Sequence, residues 1–507
     1  MHLFSLFFIS SLIYSSFSTS ISSDHQIHIS EEGNVSYEIP TNDETTIIFK
    51  GTGILNRTIA KYAQNKKKII IEEGILEVSD KAFYQSSLHR PDEEFKYEEV
   101  ELPCSLIRIG YLSFKTQGHE LTRVHFPEQP KSHTETSSFY SLRDIGDYAF
   151  SGQPLRDHNI PCTFTTIGNN AFESTLINHI EFNNEIETIP RYCFLRCFLL
   201  VSVDLPSSLT RISASSFECC FGLERISFES SEIREVGYNS FYGCSSLTEI
   251  VFPFHGSGFS EIGFIFEHCS SLRRCILPQE IEGNFGRGTF LHCTSLSEVS
   301  LPSNLSVVGS DMFRNTSIEF AYLPSSVCEI GKNAFSDCKR LRFVHLSHAG
   351  EIILGSEVFA GSDNIEVAVI EGNISELSER KLRARVLCYN GQKNPSTNDE
   401  SIDTSKTTVY LTNDFLTKNT NSKFGNTSNF EGYEYKIQED GICRLPKPNE
   451  TGSGGKDKSL KILTILLIVF CVLAFLLIIE VVVVFILTRK KKNEAKIADQ
   501  SSMNEDL

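Results

Sequence analysis

SLPSNLSVVGSDMFRNTSIEFAYLPSSVCEIGKNAFSDCKRLRFVHL, Ser300 to Leu346, says nearly the same thing twice. In each half Leu-Pro-Ser leads to an apolar residue, a Gly, a Phe and a small residue before the next short apolar run. Internal repetition at a period of about 20–30 residues decides an architecture, so the phase of the repeat comes first.

One Phe sets that phase. It recurs as Phe83, Phe114, Phe150, Phe172, Phe194, Phe217, Phe241, Phe266, Phe290, Phe313, Phe335 and Phe359, in steps of 22 to 25 residues from Phe150 onward. Five positions earlier stands an apolar residue, as at Ile109, Ile145, Ile167, Ile189, Ile212, Val236, Val308 and Ile330. The next position is commonly Gly, as at Gly110, Gly168 and Gly331. Six positions after the Phe comes Leu200, Leu223, Leu247, Leu272, Leu296 or Leu341. Chance does not hold several columns in register over so many copies.

Leu-x-x-Ile-x-Leu, as in Leu296, Val299 and Leu301, reads as a short strand with alternate residues pointing inward. The Phe-bearing half turns the chain back, and the Gly is expected to permit a tight turn. One coil cannot bury its own apolar face; stacked coils bury a continuous core, so each repeat needs its neighbours. Burying one anchor Phe contributes roughly 1.5–3 kcal/mol.

Ile330-Gly331-Lys332-Asn333-Ala334-Phe335-Ser336-Asp337-Cys338, following Leu323-Pro324-Ser325, resembles the signature of BspA-like (Treponema-type) leucine-rich repeats. The resemblance covers residues 68–370, with departures: Ile262-Gly263 lies one residue late before Phe266, and Pro190 and Ser213 replace the Gly. It implies an α/β-type repeat solenoid with a parallel sheet on its concave face. It also implies kinship with trichomonad-type protist surface proteins, whose role is attachment to cells, matrix or other microbes.

Outside the repeats, the opening MHLFSLFFISSLIYSSFSTS reads as a secretory signal peptide, residues 1–20. Residues 21–67, with the Gly51-Thr52-Gly53 turn, are expected to cap the first coil. Lys66, Lys67 and Lys68 read as a solvated edge, and the insertions Gln85–Tyr97 and Glu128–Tyr140 as surface loops. After the repeats, 371–460 reads as a C-terminal cap and flexible stalk. Ile462 to Thr488 is 27 residues with one charge, Glu480, long enough for a transmembrane helix. Arg489-Lys490-Lys491-Lys492 follows at once and places the tail, 489–507, in the cytoplasm. The expected protein is single-pass, type I, at the plasma membrane.

The formal net charge is −17 and no basic face recurs, which argues against nucleic acid as a partner. Of the 15 cysteines, Cys197, Cys220, Cys244, Cys269, Cys293 and Cys338 sit three residues after the anchor Phe, where other coils carry Thr175, Thr316 or Ser362. That slot calls for a small buried residue, and the expectation is a ladder of thiols rather than disulfides or zinc ligands. Cys388 and Cys443 lie outside it and are the disulfide candidates. Asn-x-Ser/Thr triplets at Asn34, Asn56, Asn304, Asn315, Asn373, Asn426 and Asn449 are candidate glycosylation sites. No nucleophile elbow, zinc-protease motif or P-loop occurs, so no catalytic residue, metal, cofactor or small-molecule substrate is assigned.

In each strand the residues flanking the central Ile point outward. Over the first coils these are mainly polar or charged; later they include Val251, Ile276, Phe320, Tyr322, Phe343 and His345. Clustered outward aromatics are what protein-binding hot spots are made of. The reading is a surface adhesion or recognition protein binding host-cell, matrix or microbial proteins through this patch. The alternatives are packing of the patch beneath the stalk or cap, a receptor signalling through its short tail, and a membrane-anchored enzyme.

Overall fold

The apolar column that opens each repeat forms the expected strand, in parallel register with its neighbours. Ile69, Val100 and Val124 stand opposite one another on Lys68–Ile71, Glu99–Glu101 and Arg123–His125. Ile250, Cys275 and Val299 do so on Glu249–Val251, Arg274–Ile276 and Glu298–Ser300. Ala321 and Val344 do so on Phe320–Tyr322 and Phe343–Leu354. Most coils add a second short strand at the apolar residue five before the anchor Phe, as in Arg108–Ile109, Asp144–Ile145 and Thr166–Ile167, which pair in separate parallel ladders; Phe285, at that place before Phe290, lies in none. The structure, a computed structural model, describes residues 34–84, 97–115, 121–126, 141–155, 163–229, 232–253, 263–281, 283, 285–374, 382–391, 408–411, 435–437 and 443. All belong to the compact unit that ends at Cys443. The expected signal peptide, transmembrane span and tail lie outside the described residues, among which no helix is long and apolar enough to cross a membrane.

Opposite the strands runs a stack of rings. All twelve anchor Phe residues are buried. From Phe83 to Phe359 each ring lies on the next with centroids 5.2 to 5.8 Å apart and planes within 15°. The backbone around each Phe is unusual. The residue two before it has φ between +53° and +63° in all twelve coils; the residue two after it is also left-handed in the ten coils where it is described. Left-handed backbone costs a non-glycine residue about 1–2 kcal/mol. Hydrogen bonds between coils offset this: the N–H groups of Asn333, Phe335 and Asp337 donate to Ser356, Val358 and Ala360 of the next coil, and the pattern repeats along the stack.

Two expectations change here. Backbone donors that reach the next coil cannot close i→i−4 bonds, so the described repeats return by turns and not helices. The one α-helix described is the single turn Arg57–Ala60, ahead of the first anchor Phe and capped by Asn56. The fold is therefore a β-solenoid of leucine-rich repeats rather than an α/β-type one. The recurrent Gly is not a left-handed turn residue either. A Cβ on Gly168 would come within 2.2 Å of the Asp147 nitrogen in the preceding coil, so Gly is required by close approach of two backbones. A further difference is Tyr97, placed by its sequence context in a looped insertion. It is buried, its ring edge-on to Phe83 and its hydroxyl donating to the Phe114 carbonyl (3.1 Å).

At the N-terminal end Ser36–Glu38 pairs antiparallel with Thr46–Lys50, leaving a three-residue edge strand that offers little template to another chain. Beyond residue 370 the parallel sheet continues through Val367–Ile374, Val386–Tyr389, Thr408–Leu411 and Tyr435–Ile437.

The cysteine column is buried. The thiols of Cys197, Cys220, Cys244, Cys269, Cys293 and Cys338 each donate to the anchor-Phe carbonyl of the preceding coil at 3.0 to 3.2 Å. Ser362 makes the same bond to Phe335 at 2.7 Å. Burial pushes the Cys197 thiol up to about 12 and that of Cys338 up to about 11. Cys388 and Cys443 are joined by a disulfide, with Cα atoms 6.0 Å apart.

Candidate functional site

The outward face of the strands divides by chemistry. In the earlier coils its charges engage one another. Arg274 bonds both Glu249 and, at 3.0 Å, Glu298 on the flanking strands, so its pKa is raised by the two carboxylates. Asp204 accepts from Ser227 and lies 3.6 Å from Arg225. Val251 and Ile276, paired in register, interrupt this polar field; Val251 is 45% exposed.

In the later coils the face becomes aromatic. Phe320 faces Phe343 and Tyr322 faces His345 across adjacent strands. The Phe320 and Phe343 rings stack at 5.3 Å, and Tyr322 meets His345 edge-on at 6.2 Å. Partial burial pushes the Tyr322 phenol up to about 12. Phe320, Tyr322 and His345 are half-buried, but Phe343 is only 8% exposed. Its ring is covered by Phe320 and by the Arg342 guanidinium, 5.1 Å from its centroid. His345 is held by Glu371 at 3.3 Å. The same outward row continues to Val369 and Cys388, both buried, so the disulfide bounds the patch on its C-terminal side.

A second apolar cluster lies off the strand face, at the corner where the chain turns from the anchor Phe toward the next strand. Phe198, Leu199, Val201 and Phe221 are 42% to 48% exposed, and the rings of Phe198 and Phe221 stack at 5.2 Å. They stand four, five and seven residues after the anchor Phe. Comparable coils carry Ser245, Ser246 and Thr248, or Lys339, Arg340 and Arg342, so column-by-column comparison would have found them.

Of the candidate glycosylation residues, Asn34 is exposed and Asn56 caps the short helix. Asn304 is bonded to Ile281 at both ends of its amide, donating to the carbonyl (2.7 Å) and accepting from the N–H (3.1 Å). The Asn315 amide nitrogen lies 3.0 Å from His292 Nδ1, and Asn373 lies in Val367–Ile374. Asn426 and Asn449 fall outside the described residues. Among the described residues no group of three or more His, Cys, Asp or Glu could hold a metal ion.

The family described as BspA type leucine-rich repeat region, in six copies, matches residues 45–142, 143–264, 222–342 and 261–384. This chain belongs to the BspA-type leucine-rich repeat family. Its similarity to solved structures of leucine-rich repeat proteins is at the level of fold. One is from Bacteroides ovatus, 22% identical over 70% of this chain and 94% of that one, TM-score 0.47. Another is the pneumococcal vaccine antigen PcpA, 15% identical over 82% and 99%, TM-score 0.38. A third, from Faecalibacterium prausnitzii, is described as a leucine rich cell surface protein, 14% identical over 72% and 97%, TM-score 0.35. No curated protein sequence matches the chain. Membership of this family is consistent with a protein-binding, recognition role.

Proposed function

We propose that this protein is a cell-surface recognition protein whose repeats bind protein ligands on other cells or in the extracellular matrix. The signal-like 1–20 and the apolar Ile462–Thr488 run followed by Arg489–Lys492 support export and single-pass anchoring, with the repeats outside. One observation carries the choice of surface: Phe320, Tyr322 and His345 are half-exposed on a face whose other outward groups are largely engaged in ion pairs. Aromatic anchors in such a setting supply most of an interface's binding energy. The exposed Phe198–Phe221 pair favours a second reading, in which the corner cluster makes the main contact.

Cells displaying the full-length chain, carrying one tag near residue 25 and one at 507, test both parts. The first tag should be open to antibody on intact cells and the second hidden; the reverse pattern refutes the orientation. Attachment to host cells or matrix should fall at least tenfold in Phe320→Ala with Tyr322→Ala. Unchanged attachment there, with loss in Phe198→Ser with Phe221→Ser, would transfer the contact to the corner.

A further inference from the structure

Glu319, Arg342, Glu366 and Arg385 each precede a strand at one edge of the aromatic patch, on successive coils, so their charges alternate along the stack. Arg342 engages Glu366 through two bonds (3.0 and 2.9 Å) and Glu319 through a third (2.8 Å). Its charge is matched on both sides. Arg385 stands on the next rung with no carboxylate left for it: among the described residues its side chain has no hydrogen-bond or ion-pair partner, and neither has that of Arg340. Both are exposed.

These two arginines line a cavity of about 390 Å³ together with Lys339, Asp363 and Asn364, and with Glu319 and Glu366, whose carboxylates are both engaged by Arg342. Lys339 is bound to the Gly361 carbonyl (2.6 Å). The Asn364 amide nitrogen donates to the Lys339 carbonyl (2.7 Å), which leaves its oxygen as an acceptor at the cavity. Asp363 is exposed, and its carboxylate has no partner among the described residues. The volume lies at the lower end of the roughly 300–1,000 Å³ of small-molecule sites. The free groups are of two kinds: guanidinium forks suited to a planar or tetrahedral anion, and oxygen acceptors suited to hydroxyl donors. In a chain of net charge −17, two arginines on one cavity whose side chains form no ion pair among the described residues are a specific departure.

We propose that this cavity binds a sugar residue carrying one acidic group. The anion takes the place of the carboxylate that Arg385 lacks, shared with Arg340, and the ring hydroxyls donate to Asp363 and to the Asn364 oxygen. The site is separate from the aromatic face: Arg342 forms the wall between them, one side toward the cavity and the other over Phe343.

The test is calorimetric titration of the full-length chain, in mild non-ionic detergent, with glucuronic acid, N-acetylneuraminic acid, glucose and inorganic sulfate. At least one sugar acid should bind with Kd on the order of 1 mM or below, and glucose and sulfate at least tenfold more weakly. Arg340→Ala with Arg385→Ala should abolish binding with an unchanged melting temperature, because neither side chain has a partner to lose. Arg385→Lys should retain part of it. Asp363→Asn should weaken the sugar acid and leave sulfate unaffected. Phe320→Ala should change none of these values, which separates this site from the protein-binding reading. Equal binding of sulfate and sugar acid, equal binding of glucose, indifference to the double arginine change, or no binding by either acid would each overturn the proposal.

Discussion

The rings of Phe114 and Phe150 lie 5.4 Å apart and within 1° of parallel, although 36 residues separate them. Phe217 and Phe241, only 24 residues apart, stack almost identically, at 5.5 Å and 3°. The long insertion between the first pair therefore leaves the stack undisturbed. Coil geometry is set by the inter-coil hydrogen bonds and the ring column, not by the number of residues between rings.

Removing one ring should therefore be felt as a core deletion. Phe217→Ala is expected to cost about 3–5 kcal/mol. The exposed Phe198→Ala should cost less than about 1 kcal/mol. Urea unfolding of the two variants side by side checks this, and equal losses would deny the stack its role.

The cysteine column is predicted to be a hydrogen-bonding column first. Because Ser362 makes the bond that the cysteines make, Cys244→Ser should be tolerated better than Cys244→Ala. The difference should be on the order of 1 kcal/mol, the worth of one buried hydrogen bond. Cys244 and Cys269 should resist alkylation in the folded chain and react fully once it is denatured without reductant. Finding them linked to each other would contradict the ladder.

Acid should weaken the coils around His292. Burial first, then neighbouring His268 and Arg314, hold this imidazole below its ordinary 6.5, so the unfolded chain takes the proton more readily. Its stabilisation is complete above that value and is lost as the pH falls through 6.5 toward the folded value. Glu267, raised mainly by burial, works in the opposite direction and gains stability as the pH falls toward 4.5. Between about pH 7.5 and pH 5.5 the imidazole effect should dominate. The melting temperature should fall over that interval, and fall less in His292→Gln. Identical profiles for the two proteins would refute the assignment.

Loss of the Cys388–Cys443 bond frees a loop with a sequence separation of 55. Chain entropy alone assigns that closure on the order of 4 kcal/mol, less where the unfolded chain keeps structure. Cys388→Ser with Cys443→Ser should lower the unfolding midpoint of the C-terminal strands while leaving that of the N-terminal coils in place. Hydrogen exchange resolved along the chain can read both.

Much of this architecture was legible because it is carried by side chains in columns. The anchor Phe and the Cys/Thr/Ser slot identify themselves by what shares each position. What escaped was written in the backbone. Gly168 looks the same in sequence whether it supplies a left-handed turn or admits a neighbouring coil, and only the 2.2 Å approach to Asp147 decides. The left-handed residue two before each Phe is Asn, Asp or Gly in five coils (Asn170, Asn239, Gly288, Asp311 and Asn333), types that favour this backbone, but Lys81, Leu112 and Tyr148 adopt it as well, each N–H donating to the next coil, so inter-coil hydrogen bonding imposes the conformation whatever the side chain. At the candidate site, strand alternation correctly placed Phe320 and Tyr322 outward. It could not foresee that the long Arg342 side chain would fold over Phe343, nor that apolar residues would gather at the Phe198 corner.

The disulfide also decides where a pull would be felt. Tension applied at any residue beyond Cys443 reaches the sulfur bridge before it reaches Thr408–Leu411 or Tyr435–Ile437, and crosses directly to Cys388 on Val386–Tyr389. The two later strands are mechanically bypassed. The load enters the array at a strand that is paired on both edges, next to the row carrying Val369 and His345. A tether at this end would thus transmit shear into the stacked coils without first stripping the strands closest to it.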